Sequence, residues 1–505
     1  MEIRARSVLV NPDAAVLRKY AATQASAHLT EFGNLDVITT VTARSKGSTF
    51  IVSDEPHHHT DPVITRDRYD TLAAAQDEYI AGQDMVVIDG YIGDHPTARM
   101  RCRLVIERSN ANIAAKQQLL YFPADDDAEP ELTVIYTPNL PAHGFPDDRG
   151  ILVDLHNGVT RVFHADYFGE SKMGGLRMWD AAMYRRGGLA MHSGLKLVGD
   201  GNKRRAGLVV GLSGTGKTTT TFSRAGGGAP VQDDYVALYP GGKVYGTEAG
   251  TFAKVYGLTP ESEPAVWHGA SQVRSYLENV AIDEAGKLDF FDSSHTENGR
   301  AVISAADIPG FIAPANVDTA DFMLILNRNA NIIPAVARLT KDEAAAYFML
   351  GETQGTSAGG HAEAGKFLRV PGTNPFFAYR HEWQANRLRE LLDTCDLEVF
   401  VLNTGRVGGP DGEEQSRKIT PAVSAAIVSA ITHGGIEWVT DPDFGYEVAT
   451  SVPGVDDPEL LQPRLLYQRQ QRSAEYAAIV SELHRDRREH LAGYRDLLPQ
   501  IAAAV

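Results

Sequence analysis

The stretch Gly211-Leu212-Ser213-Gly214-Thr215-Gly216-Lys217-Thr218 decides the fold of this chain. It follows the apolar run 206–210, which predicts a short buried strand, and it precedes 218–223, which predicts the first turns of a helix. In a Gly-rich loop between a strand and a helix, backbone N–H groups and the helix N-terminus point at a phosphate. Glycines let the main chain approach a phosphate that a Cβ would push away. The stretch therefore predicts a loop that binds a nucleoside triphosphate.

Two side chains of the loop and a nearby acidic pair predict how phosphate and metal are held. Lys217 can reach the outer phosphates as a point charge, and Thr218 offers a hydroxyl to a metal ion. Asp233 and Asp234 precede the apolar run 235–238, which predicts a strand. An acidic pair in this setting can hold Mg²⁺ or Mn²⁺, one carboxylate directly and the other through water.

The composition is that of an ordinary globular protein with a large core. The chain has 505 residues, of which 43% are hydrophobic and 22% charged, so its length allows two large lobes. The formal net charge of −17 argues against a general nucleic-acid surface, which would need a basic face. No apolar run is long enough for a transmembrane helix, and the first residues lack the apolar segment of a signal peptide.

The two cysteines indicate a reducing compartment. Cys102 and Cys395 are too few for a disulfide framework, and neither has the spacing of a metal ligand. Together with the lack of a transmembrane run and a signal segment, these thiols lead us to expect a cytoplasmic protein. We also expect a monomer or a small homo-oligomer that binds a small anionic substrate and contacts neither nucleic acid nor membrane.

The pattern along the chain predicts two lobes of mixed α and β structure, an N-terminal lobe over 1–200 and a C-terminal lobe over 201–505. The region 123–149 is rich in Asp, Pro and Gly, which indicates a loop or an excursion at a domain edge. The charged tail 460–498 alternates Arg, Glu and aliphatic residues, as in an amphipathic surface helix.

Shorter segments have the periodicity of individual strands and helices. The predicted strands are 37–41, 50–52, 85–88, 101–107, 231–238, 242–245 and 322–326. The predicted helices are 67–82, 341–350, 383–392 and 422–432.

Several polar residues stand where chemistry is possible. Apolar or Gly-rich surroundings hold Glu170, Lys172 and His192; a histidine can ligate a transition metal, and a lysine can offset phosphate charge. Turn-like segments hold Arg44, Lys254 and Arg300. Taken together, these cations are candidate grips for an anionic substrate. The run His57-His58-His59 lies among Pro and Asp, which favours a solvated loop over a metal site.

At these residues the chain resembles the ATP-dependent phosphoenolpyruvate carboxykinase family. The matches run in the same order from about residue 40 to residue 455 and comprise 87–91, 211–219, Asp233-Asp234, 278–280, 296–300, 403–405 with 408–409, 441–448 and 452–455. The Leu-Ser-Gly-Thr form of the loop is much more specific than a generic phosphate loop.

The resemblance implies a mixed α/β, two-lobed fold, with a substrate-side N-terminal lobe, the phosphate-binding loop in the C-terminal lobe and the active cleft between them. It implies that ATP phosphorylates the enolate formed when oxaloacetate loses CO₂, or the reverse reaction. ATP would bring Mg²⁺, and a second ion, usually Mn²⁺, would bridge the substrate and the γ-phosphate.

The resemblance also implies roles for individual residues. The nucleotide would be bound by Gly211, Leu212, Ser213, Gly214, Thr215, Gly216, Lys217, Thr218, Thr219, Glu278, Arg417 and Thr420. The metal ligands would be Thr218, His192 and Asp234. The substrate would contact Arg44 and Tyr167. The catalytic cations would be Lys172, Lys217, Lys254 and Arg300.

The chain departs from the family pattern mainly on the substrate side. The family normally has two consecutive lysines after its Gly-Glu step, and the second ligates Mn²⁺; here the pair is Lys172-Met173. A thioether is a poor ligand for this ion. The family segment Arg-Ser-Pro-Lys-Asp becomes 44–48, Arg-Ser-Lys-Gly-Ser. Met-His-Cys-Ser becomes Met-His-Ser-Gly at 191–194, and Asp-Asp-Glu becomes Asp-Asp-Tyr at 233–235.

Three functions are compatible with this sequence. The first is a carboxykinase, which is favoured by Arg44, Tyr167, His192 and Arg300. The second is a kinase on the same frame that phosphorylates another small acid or alcohol without decarboxylation, which is favoured by Met173 and the altered segment 44–48. The third is a non-catalytic nucleotide-binding regulator, against which stand Lys217, Thr218 and Asp234.

Overall fold

Strands and helices alternate along the part of the chain that the computed structural model describes, which is 3–124, 126–212, 214–355 and 366–505. The strands of the first half are β1 Ser7–Val10, β2 Ala27–Leu29, β3 Leu35–Val37, β4 Thr49–Val52, β5 Val63–Ile64, β6 Asp84–Ile92, β7 Met100–Glu107, β8 Phe122–Pro123, β9 Leu132–Thr137, β10 Gly150–Asp154, β11 Val159–Phe163, β12 Leu189–Val198, β13 Arg205–Val210, β14 Ala229–Gln232, β15 Tyr235–Leu238 and β16 Val244–Gly246. The strands of the second half are β17 Gly250–Lys254, β18 Tyr276–Glu278, β19 Ala281–Ile282, β20 Leu288–Asp289, β21 Arg300–Ser304, β22 Phe322–Asn327, β23 Val336–Leu339, β24 Glu352–Gln354, β25 Phe367–Arg369, β26 Glu398–Asn403, β27 Arg406–Val407, β28 Arg417–Lys418, β29 Glu437–Thr440 and β30 Glu447–Ser451. The helices are α1 Ala14–Ala21, α2 Arg66–Ala81, α3 Ala111–Leu120, α4 Phe168–Arg185, α5 Lys217–Phe222, α6 Pro264–Ala270, α7 Lys341–Leu350, α8 His381–Leu392, α9 Pro421–His433, α10 Pro458–Leu461, α11 Pro463–Arg469, α12 Ser473–Ala492 and α13 Pro499–Ala502. The predicted mixed α/β class is confirmed.

The chain folds into two units, each built from separate segments. The first unit consists of Met1–Arg186, Thr247–Ala313 and Phe376–Arg380. The second consists of Gly187–Gly246, Pro314–Pro375 and His381–Val505. This division differs from the expected single boundary after residue 200. The reason is strand pairing: β18 joins β3 in one sheet, which brings a segment from the middle of the chain into the first unit.

The larger sheet of the first unit has the order β1-β6-β7-β9-β11-β10-β4-β5, with β8 against β6. Its middle strands β7, β9 and β11 run parallel, and parallel strands covered on both faces consist of nearly continuous apolar residues. Helix α4 packs against β9, β10 and β11. It is buried from Phe168 to Met183, so the polar side chains of this helix lie in the interior.

A smaller sheet of the first unit has the order β17-β21-β18-β3-β2. In its antiparallel register, Lys254 of β17 lies opposite Arg300 of β21, and Arg300 lies opposite Glu278 of β18. Directly opposed residues share one face of a sheet. Three charged residues that are distant in sequence are therefore neighbours in one row.

The sheet of the second unit has the order β16-β15-β12-β13-β22-β26-β23-β30-β29, with β14 against β12. Strands β13, β22 and β26 run parallel at its centre. Their buried side chains form a core with α9, in which Val209, Leu324 and Phe400 meet Ile427. The carboxyl ends of these three strands share one edge, where open α/β sheets bind their ligands.

Most predicted elements are confirmed, including the helices at 67–82, 341–350, 383–392 and 422–432 and the strands at 50–52, 85–88, 101–107 and 322–326. The predicted strand 37–41 is wrong beyond Val37, where β3 ends. The carboxylate of Asp166 accepts the backbone N–H groups of Thr40 and Val41 at 2.7 and 2.9 Å. These side-chain contacts replace the ladder that a strand would need.

Two further expectations are wrong. The region 123–149 contains β9, whose residues are all buried and which lies between β7 and β11 in the sheet. The polar segments on either side of this short apolar strand masked its pattern in the sequence. The tail 460–498 is not one helix, because Pro463 starts α11 and Gln471, with φ of 59°, interrupts the helical backbone before α12. No helix in the described ranges has the length and apolar character needed to cross a membrane.

Candidate active site

The phosphate-binding loop joins β13 to α5, which confirms the predicted strand–loop–helix context. Gly214 and Gly216 have φ of 85° and 92°, in the left-handed region that favours glycine. The hydroxyl and the backbone N–H of Thr215 both donate to the carbonyl oxygen of Leu212, at 2.7 and 3.2 Å. These bonds close a tight turn at the end of the strand. Ser213 lies outside the described residues.

Residues after the two neighbouring parallel strands hold this loop in place. Arg328 follows β22, and its Nη1 donates to the carbonyl oxygen of Gly214 at 3.1 Å. Thr404 follows β26, and its hydroxyl donates to the carbonyl oxygen of Thr215 at 2.7 Å. Sequence reasoning missed both residues as parts of the site. The rule that ligands bind at the carboxyl ends of parallel strands could have found Arg328, because it follows the predicted strand 322–326.

Lys217, His192 and Asp234 form a cluster beside the loop. Lys217 Nζ and His192 Nε2 each lie 2.9 Å from the same carboxylate oxygen, Asp234 Oδ1. Antiparallel pairing of β12 with β15 sets His192 opposite Tyr235, the residue after Asp234. The predicted strand 231–238 is therefore two strands, and the acidic pair forms the turn between β14 and β15.

The protonation of His192 suits a metal ligand. Burial and the nearby ammonium of Lys217 lower the pKa of His192, so the neutral ring predominates at neutral pH. Nδ1 lies 3.2 Å from the carbonyl oxygen of Thr373. Nε2 lies beside the Asp234 carboxylate, so both ring nitrogens face oxygens that can only accept, and the neutral ring donates to one of them; with a cation at Nε2, Nδ1 would donate to Thr373. An imidazole nitrogen and a carboxylate oxygen turned toward each other fit a divalent cation.

A hydroxyl and a second carboxylate continue this polar surface. Thr218 Oγ1 donates to Asp233 Oδ2 at 3.4 Å. Within the described ranges, no three His, Cys, Asp or Glu side chains gather into a metal-binding group. Phosphate and water oxygens would have to complete the coordination of an ion held here, as is usual for Mg²⁺. The run 57–59 lies in and beside a short 3-10 turn at Pro56–His58 in which no residue is buried, as expected for a solvated segment.

The residues expected near the adenosine lie around the start of α9. Thr420 is the N-cap residue of this helix, and Arg417 is exposed, 3.9 Å from a carboxylate oxygen of Glu459. The backbone N–H of Ile419 donates to the carbonyl oxygen of Gly405 at 3.0 Å. This bond ties the segment to the chain that follows β26. Thr219, also expected to contact the nucleotide, lies in α5.

In the first unit, Asn298 connects three parts of the predicted substrate side. Its Nδ2 donates to the Tyr167 hydroxyl oxygen at 3.1 Å and to the carbonyl oxygen of Thr42 at 2.8 Å. Its Oδ1 accepts from Arg300 Nε at 3.1 Å and Nη2 at 2.8 Å. Asn298 lies within the motif 296–300, in which a role was predicted only for Arg300. Its side-chain amide, two residues before Arg300, was the sequence signal that could have indicated a contact with that arginine.

The ring of Phe252, a residue that sequence reasoning also missed, lies among the predicted cations. The Arg300 guanidinium carbon is 5.2 Å and the Lys172 ammonium nitrogen 5.8 Å from its centroid, and the Tyr167 ring centroid is 6.0 Å away. Cations favour the face of an aromatic ring. Phe252 therefore spaces these residues without neutralising their charge.

Lys172 and Lys254 differ in their charged neighbours. Lys172 Nζ lies 3.0 Å from Glu248 Oε2, and both side chains are buried. Burial and the nearby Arg300 guanidinium lower the pKa of Lys254 from 10.5 to about 8. Lys254 is therefore close to its titration range at physiological pH.

Arg44 and Met173 occupy the altered part of the family pattern. Arg44 is exposed, with its guanidinium carbon 5.3 Å from the ring centroid of Phe376. The backbone N–H of Ser45 donates to the carboxylate of Glu170 on α4, which fixes the Arg44 loop to this helix. Met173 follows Glu170 by about one helical turn and is buried. The thioether thus stands in the interior of the first unit.

Glu278 has a different position from the one expected. It is 1% exposed, and its Oε1 lies 3.0 Å from Lys116 Nζ and accepts the backbone N–H of Phe168 at 3.1 Å. The printed partners of Glu278 thus lie on α3 and at the start of α4. In this structure Glu278 holds α3 and the start of α4, and its role in nucleotide binding stays a prediction.

Comparison with known proteins gives a consistent family relationship. The phosphoenolpyruvate carboxykinase family model matches residues 6–458. A phosphoenolpyruvate carboxykinase (ATP) of Aeropyrum pernix is 32% identical over 499 residues, covering 95% of this chain and 93% of the relative. The enzyme of the same name from Brevibacillus brevis is 31% identical over 483 residues, covering 91% and 89%. That of Caldanaerobacter subterraneus is 29% identical over 484 residues, covering 92% and 90%.

Proposed function

Because the chain belongs to the ATP-dependent phosphoenolpyruvate carboxykinase family, we propose that it transfers the γ-phosphoryl group of ATP to the enolate formed when oxaloacetate loses CO₂. The observation that carries this proposal is the convergence of Lys217 and His192 on Asp234 beside a phosphate-binding loop. A cation, a metal-type nitrogen and a carboxylate at one point are the parts that phosphoryl transfer needs.

On the nucleotide side, the loop between β13 and α5 binds the phosphates through its backbone N–H groups. Lys217 exchanges its contact with Asp234 for one with the outer phosphates, so that the Asp234 carboxylate can accept a cation. Arg328 and Thr404 keep the loop in its binding conformation through their bonds to its carbonyl oxygens. Arg417 and Thr420 bind the nucleoside end.

Two divalent ions fit the residues present. Thr218 and the Asp233 carboxylate would hold Mg²⁺ that arrives with ATP, and His192 with Asp234 would hold Mn²⁺. When bound, the ions neutralise charge on the phosphoryl oxygens. In the second site the thioether of Met173 contributes no ligand, so the protein supplies fewer ligands than the family pattern implies.

On the substrate side, the residues bind and orient an anion. Arg44 binds a carboxylate, and Asn298 fixes the Tyr167 hydroxyl beside the Arg300 guanidinium. The carbon–carbon bond to the leaving carboxylate breaks and its electron pair forms the enolate. The enolate oxygen then bonds to the γ-phosphorus as the bond to the ADP oxygen breaks. Lys254 and Arg300 stabilise the charge on the transferring group.

A second candidate is a kinase that phosphorylates another small acid or alcohol without decarboxylation. The specific observation in its favour is Met173, buried where the family pattern has a metal-binding lysine. Incubation with ATP, both ions and either oxaloacetate or a panel of other small hydroxy acids and alcohols separates the two. ADP formation with oxaloacetate, with one CO₂ released for each ADP, supports the carboxykinase. ADP formation only with a member of the panel supports the kinase.

The proposal includes a cytoplasmic location, in line with the free thiols of Cys102 and Cys395, since reducing compartments keep thiols free.

Substitution Lys217→Ala tests the site assignment. Loss of a charge that acts on the transferring phosphoryl group should lower kcat by roughly 10²–10³-fold. The exposed Lys19→Ala is the matched control and should keep wild-type rates. Steady-state ADP formation measures both variants. Normal turnover by Lys217→Ala would show that phosphoryl transfer takes place elsewhere.

A further inference from the structure

The side chain of Arg177 on α4 is buried with hydrogen-bond donors left unused. It is 4% exposed, and its Nε and Nη1 atoms have no hydrogen-bond partner among the residues that the structure describes. The nearest carboxylate oxygen, Glu170 Oε2, lies 3.7 Å from Nη1, beyond hydrogen-bond distance. A buried guanidinium with unused donors is costly, so a polar ligand that accepts from it would be stabilised there.

A second arginine lies against the same aromatic ring. The guanidinium carbons of Arg44 and Arg177 lie 5.3 and 5.4 Å from the ring centroid of Phe376. The Ser45 N–H bond to Glu170 fixes the Arg44 loop to the helix that carries Arg177. Two forked cations, each able to bind a carboxylate, therefore lie near the same ring within the first unit.

The charge around these arginines is predominantly positive. Asp61 is close enough that Arg177, Lys46 and Arg44 act on its carboxyl group. Burial nevertheless raises the pKa of Asp61, because it outweighs these cations. The carboxyl groups near the arginines are Glu170, whose Oε2 lies 3.7 Å from Arg177 Nη1 and whose other oxygen accepts the Ser45 N–H, and Asp61, whose pKa is raised by burial. Three cations, Arg44, Lys46 and Arg177, therefore lie near these two carboxyl groups.

Helical spacing relates Arg177 to Met173. Residues three and four apart share one face of a helix, so Glu170, Met173 and Arg177 follow one another along the same face of α4. The position where the family pattern has a metal-binding lysine is apolar here, and the next turn supplies a fixed cation. On this face the chain therefore supplies a cation one turn beyond the position where the family pattern has its metal-binding lysine.

Resting on the proposed function, we propose that Arg177 binds the second carboxylate of a small dicarboxylate substrate whose first carboxylate is bound by Arg44. The planar fork of an arginine binds a carboxylate through two parallel hydrogen bonds. If this second carboxylate is the one that leaves as CO₂, Arg177 stabilises its negative charge in the bound substrate, and decarboxylation removes that charge. Arg177 therefore strengthens substrate binding more than it accelerates the chemical step.

Kinetics of Arg177→Met and Arg177→Lys test the proposal, with exposed Arg185→Met on the same helix as the control. For Arg177→Met we expect the KM for oxaloacetate to rise about 10- to 100-fold, with the KM for ATP within about twofold of wild type. Lysine keeps the buried charge but lacks the fork, so an intermediate rise is expected. Added guanidinium ion should restore part of the loss in Arg177→Ala. An unchanged KM for oxaloacetate, or a parallel rise in both KM values, overturns the proposal.

A binding measurement separates this proposal from the proposed function. Calorimetric titration with malonate, a small dicarboxylate, and with acetate requires no turnover. We expect malonate to bind wild type and the control equally and Arg177→Met at least about tenfold more weakly, while acetate distinguishes them little. If oxaloacetate is not turned over but this malonate difference is found, the proposed function fails and the dicarboxylate site stands. Equal malonate affinity of wild type and Arg177→Met, or no malonate binding by wild type, overturns the site.

Discussion

At the scale of single residues, the cations of the candidate site divide into those with a carboxylate partner and those beside other cations. Lys217 is paired with Asp234 and Lys172 with Glu248, each through a nitrogen–oxygen contact of 2.9–3.0 Å. A phosphate must compete with these carboxylates for the ammonium groups. Lys254 lies opposite Arg300 instead, and its proton is held less strongly. The pH response of the enzyme should therefore originate at Lys254.

Lys254 should set the alkaline limb of the pH profile. The group loses its proton as pH rises through about 8, and with it the positive charge proposed to act on the phosphoryl group. We expect kcat/KM to fall above that pH in the free enzyme. A guanidinium at this position would stay charged throughout, so Lys254→Arg should shift the decline to higher pH. A wild-type profile that stays flat to about pH 9.5, or a decline unchanged in Lys254→Arg, would contradict this role.

Asn298 should act as a positioning residue. Asn298→Ala removes its bonds to Tyr167, Thr42 and Arg300 together, and we expect kcat/KM to fall about 10- to 100-fold with little change in the melting temperature. Asn298→Asp keeps the acceptor for Arg300 but loses both donated bonds, so its kcat/KM should lie between those of wild type and Asn298→Ala. Rates and thermal unfolding measured together distinguish positioning from folding. Wild-type kcat/KM in Asn298→Ala would exclude the role.

Site residues could be predicted from sequence where they form a contiguous motif. They could not be predicted where their position depends on packing between distant segments. The loop 211–219 is contiguous, and its glycines are required by its own backbone, so its context could be predicted from sequence. Phe252 gains its place through strand register, which no short motif encodes, and the contacts of Asn298 with Tyr167 and Thr42 depend on loop packing. Glu278 lies within a recognisable motif, but its burial beside Lys116 depends on tertiary packing between residues distant in sequence. Residue type alone could not reveal that it faces inward.

At the scale of secondary-structure elements, the C-terminal tail shows how one buried charge fixes a helix. The predicted surface helix is divided, and α12 places Arg487 in the interior of the second unit at 0% exposure. Its guanidinium donates to Glu352 Oε2, at 2.8 Å from Nη2 and 3.1 Å from Nε, and to the Tyr347 hydroxyl at 2.9 Å. The alternation of charged and aliphatic residues suggested an arginine in solvent. The fold instead uses it to join α12 to β24 and α7.

Truncation of Arg487 should destabilise the second unit. Arg487→Ala leaves the buried Glu352 carboxylate with fewer cations, and we expect a loss of about 3–5 kcal/mol in the free energy of unfolding. Arg485→Ala, two residues earlier in the same helix, removes a side chain that is 61% exposed and should change stability by less than about 0.5 kcal/mol. Denaturant unfolding measures both. Equal stability of the two variants would contradict the anchoring role.

Secondary-structure elements with strong local sequence signals were predicted. Elements that depend on pairing or contacts with distant parts of the chain were not. Helix α7 has both its apolar content and a capping box between Thr340 and Glu343, so its bounds were predicted from sequence. Strand β9 is short and lies between polar segments, and only its pairing with β7 and β11 makes it a strand. The 37–41 segment has strand-forming residues but gives the N–H groups of Thr40 and Val41 to a carboxylate.

At the scale of the whole molecule, the residues proposed for catalysis are distributed over two units that are discontinuous in sequence. The first carries Tyr167, Lys254 and Arg300, and the second carries Lys217 and Asp234. We propose that both sets serve one phosphoryl transfer. A net charge of −17 does not prevent this, because the cations are concentrated locally while the acidic residues are distributed over the chain. The sequence order of the motifs indicated two lobes, but pairing of strands distant in sequence determined which segments belong to each.

The most direct measurement follows the γ-phosphoryl group itself. The purified chain is incubated with γ-labelled ATP, Mg²⁺, Mn²⁺ and oxaloacetate, and the labelled products are separated. We predict label in phosphoenolpyruvate, with one CO₂ released for each label transferred, and loss of both products in Lys217→Ala. Label found only in inorganic phosphate, or in no product at all, would contradict the account.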